Sequence, residues 1–347
     1  MDKIDFAGIE VSKGELVVAL QREGQRKPLK TFVNLSPGHQ ALIRHVSQPG
    51  RKVRVCLEST GMYGLDVALA LQRAGLEVMV ANPRAVRNFA KALMERSKND
   101  RIDAGVLLEF AARMPFQAWV APRPAALQLH ALARRLEAIT DMQTAEKGRL
   151  EAVQATETTP AAVRRDLERS LRSQRRALAR LSGEAAKIIE QDPGLKLRFE
   201  LLISVHGSIA AASAIRILAE LAVLSEDFDV RQCVAYAGLD PRECTSGTSV
   251  HKKVRISKAG NAHLRRALYM PALVAIRHQP HLRAFYLHLR ALGKPKMVAL
   301  VAVMRKLLHA IFGMFKHEKP FDGSKVYVLP APEAAPVAEI PTKEVAA

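Results

Sequence analysis

The chain has 347 residues, 48% hydrophobic and only 5% aromatic, with a formal net charge of +19. That length allows two domains with separate cores, while three scattered cysteines (Cys56, Cys233, Cys244) exclude a disulfide framework or a zinc knuckle. From Ser249 to Pro330 sixteen Lys and Arg stand against Glu318 and Asp322 alone, which favours a polyanion partner, nucleic acid rather than a membrane surface.

The first third alternates strand and helix signals. Residues 4–11 and 16–20 read as strands across the turn Ser12-Lys13-Gly14, with a third strand over 29–35. Ser36-Pro37 reads as cap and first position of a helix, followed by a strand over 52–57, a helix to about Arg73 and a strand over 76–80. Helices from Arg84 and from about Asn99 complete the unit, in the element order of an RNase H fold. Four acids fall at its informative points. Glu10 and Glu58 end two strands, and Asp100 and Asp103 share one helix face. Carboxylates brought together need a compensating cation, and a divalent metal held there could serve phosphoryl chemistry. For Asp100 and Asp103 alone, favourable placement at a helix N-terminus is the better explanation; the four acids together favour the metal reading.

Pro122 to Pro124 reads as a linker. Beyond it, Leu129, Leu132, Leu136, Ile139 and Met142, then Val163, Leu167, Leu171, Leu178, Leu181 and Ile188, repeat at helical spacing. The expectation is an antiparallel coiled coil over 121–195, for spacing or oligomer contact. A mostly helical C-terminal domain over 196–328 follows, with a hairpin-like turn at Ser204-Val205-His206-Gly207-Ser208 and helices over 228–239 and 261–278. Between those helices Ser246-Gly247 sets a hydroxyl on a turn, and the stretch reads as a basic loop. Lys252, Lys253, Arg255, Lys258, Arg265 and Arg266 follow it, charge of the kind a phosphodiester needs. His278 and His281 read as solvated, and Arg305-Lys306 falls on an apolar helix from about Met297. No apolar run reads as long enough for a bilayer, no signal-peptide pattern is present, and the tail from 329 or 330 onward, rich in Ala, Pro and Glu, reads as disordered. A reducing, cytoplasmic location is expected.

Together these residues carry a resemblance. Gly8-Ile9-Glu10-Val11-Ser12-Lys13, Leu57-Glu58-Ser59-Thr60-Gly61, Lys98-Asn99-Asp100-Arg101-Ile102-Asp103-Ala104, Ala237-Gly238-Leu239-Asp240-Pro241, Ser246-Gly247 and Ser257-Lys258-Ala259-Gly260-Asn261 occur in that order. The set resembles the DEDD insertion-sequence transposases of the insertion-sequence-110 family, which includes the Piv-type invertases. The resemblance spans about 4–328 and implies a RuvC-like domain over 1–120, the coiled coil, and a transposase domain. It also implies Mg²⁺ or Mn²⁺ held by Glu10, Glu58, Asp100 and Asp103, and Ser246 as nucleophile. Further implications are a bridge RNA that pairs with target and donor DNA, a nucleoid-associated bacterial enzyme, and dimers to tetramers that build composite sites between protomers. Two positions depart from the pattern: Glu10 stands where the family usually has Asp, and His206-Gly207-Ser208-Ile209 keeps only the first glycine of Pro-Gly-x-Gly. The competing expectations are a metal-dependent junction nuclease that uses only the acids, and a non-catalytic nucleic-acid-binding remnant.

Overall fold

The computed structural model describes residues 4–329 except 59, 60, 62, 96, 98, 226 and 248. The expected disordered tail from 330, and Ser59, Thr60 and Lys98 of the motifs, lie outside the described residues. The chain divides into two compact units, Met1–Ala121 and Pro122–Ala347.

The first unit is built on a mixed sheet of β1 (Ile4–Val11), β2 (Glu15–Arg22), β3 (Gln25–Arg26), β4 (Lys30–Val33), β5 (Lys52–Glu58) and β6 (Glu77–Ala81). Its order is β3-β2-β1-β5-β6, with β4 also paired to β2. β1 is antiparallel to β2 and parallel to β5, and β5 is parallel to β6. That order, an antiparallel meander joined to parallel strands, is RNase H-like, as expected from the element sequence. Ile9, Val55 and Leu57 face a core shared with α1 (Ser36–Val46) and α2 (Leu65–Arg73). Cys56 and Met79 face the other side, toward α3 (Pro83–Ala92) and α4 (Asp100–Arg113). At the N-terminal end of β1, Asp5 is fully buried but accepts two 3.0 Å hydrogen bonds from Arg51 Nε. Burial pushes its carboxyl up, yet the Arg51 hydrogen bond and the charges of Arg51 and Arg22 hold it below the usual range.

Local chemistry shifts several boundaries. The cap of α1 is Leu35, not Ser36, because Ser36 already has helical geometry and makes no capping bond. The third strand is shorter than the apolar pattern over 29–35, and two-residue β3 carries no hydrophobic signal at all.

The second unit is helical apart from one hairpin. α5 (Pro124–Gln154) and α6 (Ala161–Gln191) form the antiparallel pair, and α7 (Pro193–Ile203), α8 (Ala211–Leu221) and α9 (Val230–Tyr236) follow. α9 starts at Val230 because Asp229 and Gln232 form a reciprocal capping box there. Next come β7 (Pro241–Ser246), β8 (Val250–Ile256), α10 (Ala262–His278), α11 (Pro280–Ala291) and α12 (Lys296–His317). One continuous core joins Leu129, Leu136, Ala185 and Ile189, at the base of the long helices, to Leu202, Leu218, Leu264 and Leu307. The expected stripe fades outward: Met142 and Val163 are exposed.

Two expectations are corrected here. α12 is long and apolar enough to cross a membrane by length and composition, with mean hydropathy 1.7. Its Val303, Leu307, Leu308 and Ile311 are fully buried in this unit, so it is the core helix. His281 is not merely solvated, since its Nδ1 lies 2.8 Å from the carbonyl oxygen of Tyr327 and its ring packs on Gly323.

Candidate functional site

The four acids belong to the first unit. Ile9 pairs with Leu57, so Glu10 and Glu58 are the next residues along at the carboxyl ends of adjacent parallel strands. α4 lies directly on β1: a Cβ at Gly8 would stand 2.3 Å from the Ala104 carbonyl oxygen and 2.2 Å from the Leu108 nitrogen, so only glycine fits. Farther along α4, Glu109 pairs with Arg26, whose strand partner Gln21 sits opposite Phe6. α4 therefore runs antiparallel to β1, and its first turn falls at the same end of the sheet as Glu10 and Glu58. Asn99 caps that turn by accepting from the Ile102 N–H at 2.9 Å, which fixes the start of the helix and the placement of Asp100 and Asp103.

Glu10, Glu58 and Asp103 are half-buried and Asp100 is exposed. Oxygen donors of this kind suit a hard divalent cation rather than a thiophilic one. Yet among the described residues no three His, Cys, Asp or Glu side chains are gathered closely enough to hold a metal. The backbone brings the acids to one end of the sheet, and the side chains are not closed around an ion. Cys56, two residues from Glu58, is not a competing ligand. Burial, with a push from the Glu58 charge, raises its thiol to about 12.

Ser246 belongs to the second unit, where the basic loop of the sequence is instead a β-hairpin. Thr245 pairs with His251 and Ser246 with Val250, so the serine closes the ladder. It is exposed, and Gly247 beyond it turns at φ +53°. A bulge between Arg242 and Cys244 twists the strand. Sequence periodicity hides this hairpin because its strands are mostly polar and only Ile256, at the foot of β8, packs on the core.

Rigidity comes from its two feet, which are the two glycine-bearing motifs. The Ser257 Oγ donates to Asp240 at 2.5 Å, the Ser257 N–H to the Asp240 carbonyl at 2.8 Å, and the Lys258 N–H to the Gly238 carbonyl at 3.1 Å. Gly238 (φ +64°) and Gly260 (φ +125°) leave no room for a side chain: a Cβ would lie 2.7 Å from Arg265 Nη1 and 2.3 Å from the Tyr236 carbonyl oxygen respectively. Asn261 then caps α10, accepting from His263 and Leu264 at 2.9 Å each. Its amide donates to Glu220 Oε2 at 2.6 Å and to the Tyr236 hydroxyl at 2.8 Å.

Glu220 is the residue that sequence reasoning missed. It is 3% exposed, and Arg134 Nε of α5 lies 3.0 Å from it. Burial pushes its carboxyl up, but hydrogen bonding from His130 and Asn261 and the Arg134 charge outweigh this and hold it below the usual range. The available signal was a lone acid in the apolar segment AASAIRILAEL.

The six predicted cations divide. Lys253, Arg255 and Lys258 are exposed on or beside β8, and the side chain of Lys252 lies outside the described residues. Arg265 turns inward and donates to the Ala237 carbonyl at 2.8 Å, while Arg266 binds Asp141 and Glu137 of α5. These two serve the architecture of this chain. At the turn between α7 and α8, Gly207 packs on His278 and the Ser204 hydroxyl accepts from the Phe321 N–H at 3.0 Å.

Comparison with known proteins fits this arrangement. A DEDD family model of insertion-sequence-110 type, described as a transposase, matches residues 7–157, and one described as Transposase IS116/IS110/IS902 family matches 200–287. The first range holds the four acids and the second holds the hairpin. The pilin gene-inverting protein of Moraxella lacunata is 28% identical over 271 residues, 78% of this chain and 82% of that protein. An uncharacterized 43.6 kDa protein of insertion element IS110 from Streptomyces coelicolor is 34% identical over 82 residues, 24% of this chain and 20% of that protein. Among solved structures, T. thermophilus RuvC in complex with Holliday junction substrate covers 33% of this chain and 98% of its own, at 14% identity and a TM-score of 0.27. At that score the strand order, not the superposition, carries the fold assignment.

The two family matches, with the pilin gene-inverting relative, place the chain among DNA strand-processing enzymes of the transposase and recombinase class. The chain belongs to the IS110-family DEDD transposases.

Proposed function

We propose that this enzyme recombines DNA through a transient bond between Ser246 and a DNA phosphate, guided by a bridge RNA and acting as a dimer to tetramer. The observation that carries the serine is its place: an exposed hydroxyl at the tip of a hairpin whose feet are locked by Asp240, Ser257 and Asn261. Ser246 Oγ attacks phosphorus, its proton passes to a base or water, and the broken P–O bond leaves on a DNA end that is protonated to a hydroxyl. Attack by a new DNA hydroxyl on the Ser246 phosphodiester reverses these bonds and restores the serine, so bond energy is conserved without a cofactor. Lys253, Arg255 and Lys258 supply positive charge beside the phosphate. Glu10, Glu58, Asp100 and Asp103 would hold Mg²⁺ or Mn²⁺, which supplies Lewis acidity toward phosphate oxygens when bound. Support for RNA guidance is the family membership and the net charge of +19, larger than one hairpin accounts for.

The test is Ser246→Ala. It should bind DNA and RNA as the parent does, yet form no adduct that survives denaturant and no recombinant, whereas Thr245→Ala and Ser249→Ala keep most activity. Full recombination by the Ser246→Ala protein, or an adduct mapped to another residue, refutes the assignment.

A further inference from the structure

The outward face of α6 carries a row of cations that neither the fold nor the proposed chemistry uses. Leu167, Leu171, Ala185 and Ile189 are its buried side. At about 100° per residue, Arg165, Arg169, Arg172, Arg176 and Arg180 all fall opposite, in a stripe about 80° wide. All five are exposed, and none has an ion-pair partner among the described residues. The ion pairs within α6, Arg164–Glu168 and Glu184–Lys187, lie toward its two ends; Asp166 and Glu168 stand between the first two arginines, and no acid occurs between Glu168 and Glu184. Every adjacent pair in the row stands three or four residues apart, where like charges repel and weaken a helix. A merely solvated face gains from alternating signs, as the ends of the same helix have. The middle forgoes that stabilisation.

The row is arginine throughout, and the planar guanidinium fork matches phosphate oxygens two at a time. Residues 161–191 contain no Phe, Tyr or Trp, so nothing there stacks on bases. From Arg165 to Arg180 the row runs about 22 Å, the length of roughly six base steps of a duplex at about 3.4 Å each. We infer that the outer face of α6 binds the sugar–phosphate backbone of double-stranded DNA without reading its sequence. The choice of DNA as the duplex rests on the enzyme being a DNA recombinase; the geometry itself does not depend on Ser246 or the acids.

The experiment is binding of the full chain, in a Ser246→Ala background, to a random-sequence DNA duplex and to an RNA duplex of equal length across a KCl series. Because catalysis is silent in that background, failure of the recombination chemistry leaves this measurement intact. Replacing all five arginines with glutamine should lower the slope of log affinity against log salt by about 4.5 on DNA, near 0.9 per lost phosphate contact. The same variant should keep its helical circular dichroism and melt no lower than the parent, since the repulsions are gone. Replacement of all five with lysine should keep the slope. If the glutamine variant fails to fold, Arg172→Gln and Arg176→Gln singly should each lower the slope by about one. An unchanged DNA slope overturns the proposal, and so does a loss confined to RNA. A changed oligomeric mass with DNA binding intact assigns the face to a second copy and overturns it as well.

Discussion

Asn261 tests whether the foot of the hairpin is held by capping alone or by the buried Glu220 network. Asp is as good an N-cap as Asn, so if capping were its whole role, Asn261→Asp would be silent. The structure requires a large effect, because Asp would set a second carboxylate against Glu220 Oε2, where the Asn261 amide now donates at 2.6 Å. Two carboxylates at that range cannot both ionise. One of them is pushed above the usual carboxylate range, and at about 1.4 kcal/mol per tenfold change a hundredfold rise in its proton affinity costs about 3 kcal/mol at pH 7. For a unit of this size that is a fall of roughly 6–12 °C in melting temperature. Asn261→Ala loses the cap, about 1 kcal/mol, and leaves Glu220 short of a donor, about 1–2 kcal/mol more, so the two variants look alike at neutral pH. Their pH dependence separates them. A raised carboxyl pKa destabilises the fold above it, so Asn261→Asp should regain roughly 1.4 kcal/mol per pH unit as pH falls from the raised pKa toward that of the unfolded chain. The parent moves the other way at acid pH: Glu220 is held low, so its stabilisation is present above the unfolded carboxylate pKa and lost as pH falls through the folded one. Scanning calorimetry of the full chain at pH 7, 6 and 5 reads these shifts. An Asn261→Asp protein that melts with the parent at pH 7 would refute the network.

Glu58→Ala should abolish recombination in Mg²⁺ while leaving the protein folded by circular dichroism, because it removes charge rather than core volume. Glu10→Asp, which restores the usual family residue, should keep or raise activity under the same strand-transfer assay. Gly8→Ala should lower the melting transition of the first unit by the equivalent of more than about 3 kcal/mol, since the new methyl meets α4 backbone at 2.2–2.3 Å. Gly260→Ala should do the same to the second unit, whereas Gly247→Ala, with open space around it, should cost only about 1–2 kcal/mol of left-handed backbone strain.

Much of this was legible in the chain. The alternation of β1, β2, β5 and β6 gives the sheet, Asn82 and Asn99 mark helix starts, and the repeated Leu positions give the α5–α6 pair. Proline and asparagine signals are local, so they survive without tertiary knowledge. What escaped depends on distant contacts or lacks an apolar period. β3 is two residues long, β7 is polar and β8 is interrupted by His251, Lys252, Lys253 and Arg255, and Glu220 acquires meaning only from residues on α5 and α10. Spacing likewise separated neither Arg265 and Arg266, which bind their own chain, from the exposed Lys253 and Arg255, nor an acid-lined sheet end from a closed metal site.

The distribution of constraint around the hairpin follows a single physical logic. A two-stranded ribbon is marginal in water, and this one exposes Val254 and sets Arg242 opposite Arg255, a repulsive cross-strand pair. Left alone it would fray. Its stability is supplied below the strands, where Gly238 and Gly260 admit close backbone approach, Asp240 binds Ser257, and Asn261 ties the exit to Glu220 and, through Arg134, to the long helix α5. Interactions at the feet fix where the tip can be without a core packed around Ser246, so the serine itself stays exposed. Phosphate chemistry needs that combination: a hydroxyl positioned by a rigid base, in a surface whose repulsive cations are relieved only when an anion arrives.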